Sequence, residues 1–211
     1  MSAFASDLVI LVPDNNMAAA IRGVLSRPKA LAIHRLLFDV YVHVERDPGC
    51  LNRGHDFLRP LTKTYAHALI LFDRDGSGQE TQTRESLEEA VTRRMAAAGW
   101  EDRGRAIVLD PELEVWVWSD STHVDRCLGW QGRQPDLRTW LRQQGSWLQD
   151  DPKPADPKGA METVLKRARK PRSSSIYEQI AQKVSFRRCA DPAFLRFREL
   201  LRKWFPEDSI D

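Results

Sequence analysis

Ala66-His67-Ala68-Leu69-Ile70-Leu71-Phe72-Asp73-Arg74-Asp75-Gly76-Ser77-Gly78 passes from an apolar run of strand length straight into two aspartates separated by one residue. A near-continuous hydrophobic run reads as a buried parallel strand, and α/β folds bind ligands beyond the carboxyl ends of such strands. Asp73 therefore falls where the strand stops, and Asp75 follows on the same side if the chain stays extended. Two carboxylates so placed suit a hard cation such as Mg²⁺. The same residue types also punctuate ordinary loops. An EF-hand loop is excluded, because Arg84 occupies the position of the closing bidentate glutamate and a strand precedes the loop.

Working outward, Asp7–Val12 is the first strand, and Asp14, Asn15 or Asn16 caps a helix over Met17–Leu25. Leu37–Val44 is the second strand. Asp47–Gly49 reads as a break before a helix over Asn52–Lys63 that Pro60 bends or ends. After the strand quoted above, Thr81 or Thr83 opens a helix with Leu87, Val91 and Met95 on one face, ended by Gly99. Arg105–Leu109 is the fourth strand. Strands alternating with helices predict an α/β, Rossmann-like, mostly parallel four-stranded sheet with flanking helices. Glu112–Asp120 could be strand or helix. Pro111 near a first turn and acids at the positive end of the helix dipole favour helix.

Beyond this the chain reads as a helical lobe. Asp136–Gly145 is a short helix, Lys153–Gly159 a proline-rich connector, and further helices span about Ala160–Lys170, Ser175–Val184 and Pro192–Trp204. Domain limits of 1–120 for the α/β part and 121–211 for the lobe follow. Most tryptophans lie between Trp116 and Trp147, where packing is expected rather than base stacking.

Composition bounds the function. With 42% apolar and 29% charged residues the chain is a packed globular protein, not a disordered one. No apolar run is long enough to span a membrane, and Leu8–Val12 lacks the basic lead-in of a secretory signal. Cys50, Cys127 and Cys189 are far apart and show no metal-ligand spacing, which suggests a reduced, cytoplasmic protein without structural zinc. The net charge of +2 is uneven, with the basic excess after Asp151. Such a balance suits an anionic partner such as nucleic acid, although helical surfaces are often basic for solubility alone.

Asp14, Asp73 with Asp75, and Glu112 with Glu114 each follow a predicted strand. A parallel sheet brings all three loops to one edge, where gathered carboxylates repel one another unless a cation intervenes. The metal candidates are Asp14, Asp73, Asp75, Glu112 and Glu114, binding Mg²⁺ or Mn²⁺; Asp14, Asp73, Asp75 and Glu114 are the catalytic candidates.

The order of elements resembles the Toprim-like domains of topoisomerases, primases and OLD-type nucleases. It is most similar to the Toprim-related DUF4276 family found near prokaryotic defence and restriction genes. The resemblance is carried by Asp73-Arg74-Asp75-Gly76, by Pro111-Glu112-Leu113-Glu114-Val115-Trp116-Val117-Trp118-Ser119-Asp120, by Asp156-Pro157-Lys158, and by Tyr177 with Ala190-Asp191-Pro192-Ala193-Phe194 and Phe197. It implies Mg²⁺-dependent chemistry on nucleic-acid phosphodiesters in antiviral defence, alongside an ATPase or other partner protein, with Asp73 and Asp75 as the metal pair. Lys158, Arg187 and Arg188 are the candidate nucleic-acid contacts. One departure is plain: the family's first strand ends in Glu-Gly, and here Val12-Pro13-Asp14 stands in its place. Either Asp14 substitutes with shifted geometry, or the protein is a catalytically inactive binding or scaffold subunit. A phosphatase with an Asp-x-Asp nucleophile fits less well, since its motif would follow the first strand rather than the third.

Overall fold

The computed structural model describes residues 4–207. Its centre is a four-stranded, all-parallel sheet in the order β2-β1-β3-β4. The strands are β1 (Ser6–Val12), β2 (Phe38–Val42), β3 (Tyr65–Asp73) and β4 (Gly104–Leu109). The fold is thus α/β and Rossmann-like, with helices on both faces.

The two-residue period of a strand sorts its side chains into two cores. Leu8, Ile10 and Val12 of β1, with Leu69, Leu71, Ile107 and Leu109, face one way. Onto them pack α1 (Asn15–Leu25) and, from the C-terminal half, α7 (Pro157–Ala168), α8 (Ser174–Ala181) and α9 (Pro192–Trp204). Val9, Leu11, Ile70, Phe72 and Val108 face the other way, against α3 (Arg46–Leu58) and α4 (Arg84–Met95). Trp118, Trp130 and Trp147 are buried in the first core, so these rings serve packing.

Edge strands expose unpaired backbone groups, and here side chains cover some of them. The Val108 and Ala106 amides of β4 donate to Glu88 Oε1 (3.0 Å) and Thr92 Oγ1 (3.1 Å) of α4. On β2 the Arg22 guanidinium donates to the Val40 carbonyl at 3.3 Å.

Caps fall where short polar side chains precede apolar runs. Asp14 accepts from the Met17 amide, Thr83 from Ser86, and Asp191 from Phe194 with Pro192 in the first turn. Residues Leu113–Trp116 form a 3₁₀ turn, the helical alternative for that segment.

Several expectations are corrected. The break expected at Asp47–Gly49 is instead the first turn of α3, which starts at Arg46 and ends at Leu58, not over Asn52–Lys63. Proline lacks an N–H that the first turn would leave unpaired anyway, so Pro48 is tolerated there. Gly49 is required by contact, since a Cβ would overlap the His43 ring. The connector expected at Lys153–Gly159 likewise contains a helix start: Asp156 caps α7 by accepting from Gly159 at 2.8 Å. Two short helices, α2 (Pro28–Leu31) and α5 (Thr122–Cys127), had no expectation, whereas α6 (Leu137–Gln143) falls within Asp136–Gly145.

Helix α1 packs close against α8, and the approach depends on Gly23. A Cβ there would stand 2.7 Å from the Glu178 carbonyl and 2.8 Å from the Ala181 Cβ. Gly23→Ala should therefore push α8 away and cost about 1–3 kcal/mol, the usual penalty of overpacking. Urea unfolding monitored by circular dichroism reads this loss directly.

Candidate functional site at the carboxyl edge of the sheet

All four strands are parallel, so every strand-to-helix connection leaves the sheet at the same edge. A cavity of about 540 Å³ opens there. Asp14, Asp73, Asp75, Glu112 and Glu114 all line it, together with Asp47. The expected convergence of distant carboxylates on one rim is thus what the fold produces.

Each acid is held differently. Asp14 spends Oδ1 on the α1 cap, accepting from the Met17 amide at 2.9 Å. Asp73 ends β3, and its backbone amide donates to Asp47 Oδ1 at 2.8 Å. The Asp73 Oδ1 atom is buried with no hydrogen-bond partner. Burial pushes its carboxyl well above the usual carboxylate range; Asp47 and Glu114 push the same way, and the Leu113 amide pulls back. Asp47 is also raised by burial, opposed by its bond from the Asp73 amide.

The loop carrying Asp75 is strapped to the loop after β4. The Arg74 amide donates to the Leu109 carbonyl (2.8 Å) and the Asp75 amide to the Pro111 carbonyl (3.0 Å). Gly76 and Gly78 have φ of 83° and 79°, the left-handed region that glycine enters without strain. Glu80 Oε1 closes this turn by accepting from both glycine amides at 3.0 Å.

The two glutamates carry their own cations. Glu112 accepts from the Lys158 amide at 3.2 Å and pairs with its ammonium at 3.3 Å. Burial raises the Glu112 carboxyl, Glu114 adds to the rise, and Lys158 opposes it. Burial alone would lower the Lys158 ammonium, but the Glu112 charge holds it above its ordinary value. Glu114 is bound by the Arg172 guanidinium and the Tyr177 hydroxyl. Arg172 also donates from Nε to that hydroxyl at 2.8 Å and pairs with Glu162 at 3.0 Å. Burial, then the Glu114 charge, raise the Tyr177 phenol, which keeps it a donor.

Of the candidate nucleic-acid contacts, Lys158 lines the cavity, and Arg187 and Arg188 do not. Both lie exposed in a short turn before α9. The sequence reading missed Asp47 and Arg172. The loop after β2 leaves at the same edge as the others, and that signal could have found Asp47. Arg172 sits between two helices far along the chain and gives no local signal. Among the described residues no group of three or more His, Cys, Asp or Glu side chains is arranged to hold a metal ion. Nor is any helix among them long and apolar enough to cross a membrane.

Fold and site together define a class: a Rossmann-like α/β protein with an acidic cavity, flanked by two cations, at the carboxyl edge of its sheet. No family model matches the chain, and neither a curated protein nor a solved structure is significantly similar to it.

The raised carboxyls make stability depend on pH. Asp73 binds its proton more tightly folded than unfolded, so the native state holds more protons and stability falls as pH rises. The window opens near the unfolded Asp value of about 3.9 and closes at the raised folded value. In metal-free buffer the fall should reach about 1.4 kcal/mol per pH unit for each such group. Asp73→Asn should flatten that slope, measured by urea denaturation at a series of pH values.

Proposed function

We propose that the cavity binds Mg²⁺ or Mn²⁺ and that the protein is a Toprim-like, metal-dependent enzyme acting on nucleic-acid phosphodiesters. The observation that carries this reading is the buried Asp73 Oδ1, without a partner among neighbouring carboxylates. A buried carboxylate in such company must either keep a proton or meet a cation. Mg²⁺ is commonly held by one or two carboxylates, with waters and substrate phosphates completing its shell, so a prebuilt group of three is not required. Asp73 with Asp75 or Asp47 would hold it. Such an ion, when bound, supplies charge stabilisation at a phosphoryl oxygen and acidifies a coordinated water.

The remaining side chains have roles that need no metal. Lys158 and Arg172 line the cavity as cations and can each orient a phosphate, Arg172 through its planar fork. Glu112 and Glu114 fix where those cations point. The motif resemblance supports a place in a prokaryotic antiviral defence system, with an ATPase or similar protein as partner.

A second reading is favoured by the pairing of Glu112 with Lys158 and of Glu114 with Arg172. With both glutamates committed and Asp14 spent on a cap, the protein would be a catalytically inactive Toprim-like subunit that binds or scaffolds. Calorimetric titration with MgCl₂ and MnCl₂, beside cleavage assays on labelled DNA and RNA, separates the two. The enzyme reading expects saturable metal binding and cleavage in the wild type, both lost in Asp73→Ala with circular dichroism unchanged. Wild-type protein that binds neither ion leaves only the scaffold reading standing.

A further inference from the structure

Arg188, absent from the acidic cavity, lines a second concavity of about 530 Å³ at the far end of α8. Arg27, Lys183 and Arg188 line it, with the hydroxyls of Ser121, Thr122 and Ser185. None of these three cations, nor Arg187, forms a salt bridge among the described residues, unlike Lys158 and Arg172 in the acidic cavity. Asp120 is the one acid on the lining, and it turns to Arg138 at 3.6 Å.

Arg27 is fixed in place before any ligand arrives. Its Nη1 donates to the Ala181 and Val184 carbonyls at 2.9 and 2.7 Å, and its guanidinium lies 4.2 Å from the Phe186 ring centre. Those bonds answer the negative carbonyl end of α8 and use only Nη1, leaving Nε and Nη2 as donors. Three cations that form no ion pair among the described residues, set with three hydroxyl-bearing residues around one hollow whose acid, Asp120, is paired with Arg138, suit a tetrahedral anion with several acceptor oxygens.

We propose that this crevice is a phosphate site that holds a backbone phosphate of a single nucleic-acid strand. The choice of nucleic acid as ligand rests on the function proposed above; the crevice itself does not. Helix α8 joins the two places, since Tyr177 holds Glu114 at the acidic cavity and Lys183 follows the helix end. A strand engaged at both would be fixed at two phosphates rather than one.

The test uses full-length protein carrying Asp73→Asn, in EDTA, so that it stands apart from any metal chemistry. Fluorescence anisotropy with labelled oligothymidylate compares Lys183→Gln/Arg188→Gln with Lys166→Gln/Arg167→Gln, an equal charge change on exposed α7. The crevice variant should bind about tenfold more weakly, with a salt dependence shallower by about one unit, and the α7 variant should match the parent. Equal losses in both variants, or no loss in the crevice variant, overturn the proposal. So does a crevice that binds inorganic pyrophosphate but not the oligonucleotide, which would make its ligand a small phosphate. Failure of metal binding at Asp73 would leave the result intact.

Discussion

Parallel pairing of β1 with β3 is the constraint from which the rest follows. Strands that run the same way send all their outgoing loops to one edge, whatever those loops contain. Here they contain Asp14, Asp47, Asp73, Asp75, Glu112 and Glu114. The hydrogen-bond ladder therefore does more than build a sheet; it gathers negative charge that the sequence had dispersed. Each acid must then be screened, paired or protonated.

The protein meets this demand unevenly, and the unevenness defines the site. Glu112 and Glu114 are paired with Lys158 and Arg172, and Glu114 also accepts from the Tyr177 hydroxyl, all from the helical half of the chain. Asp47, by contrast, is held by backbone amides, that of Asp73 among them, and Asp73 keeps a bare buried oxygen. Charge that is already paired holds groups in position. Charge left unpaired and out of water is where a ligand has most to gain.

That division depends on helix docking far from the cavity. Tyr177 reaches Glu114 because α8 lies tight against α1, and that approach needs the missing side chain of Gly23. Arg27's acceptors, the Ala181 and Val184 carbonyls, lie at and just past the other end of the same helix. A packing contact in the core thus bears on the geometry of two polar concavities, because a close-packed interior transmits strain.

The sequence by itself determined the parts whose signal is local. Near-continuous apolar runs marked most of the strands, and short polar residues narrowed two helix starts to Asp14, Asn15 or Asn16 and to Thr81 or Thr83, because a cap works within three residues. It also placed Asp73 and Asp75 at a strand end. Asp47 was hidden because Asp-Pro-Gly has the composition of a turn, and the helix start there shows only in the folded backbone, where the Gly49 amide donates to the Glu45 carbonyl. Arg172 and the separation of Arg187 and Arg188 from the acidic cavity were decided by tertiary structure alone. Which cation meets which carboxylate depends on where whole helices dock, and helix docking is settled by side-chain shape across the core, at distances along the chain that no short motif encodes.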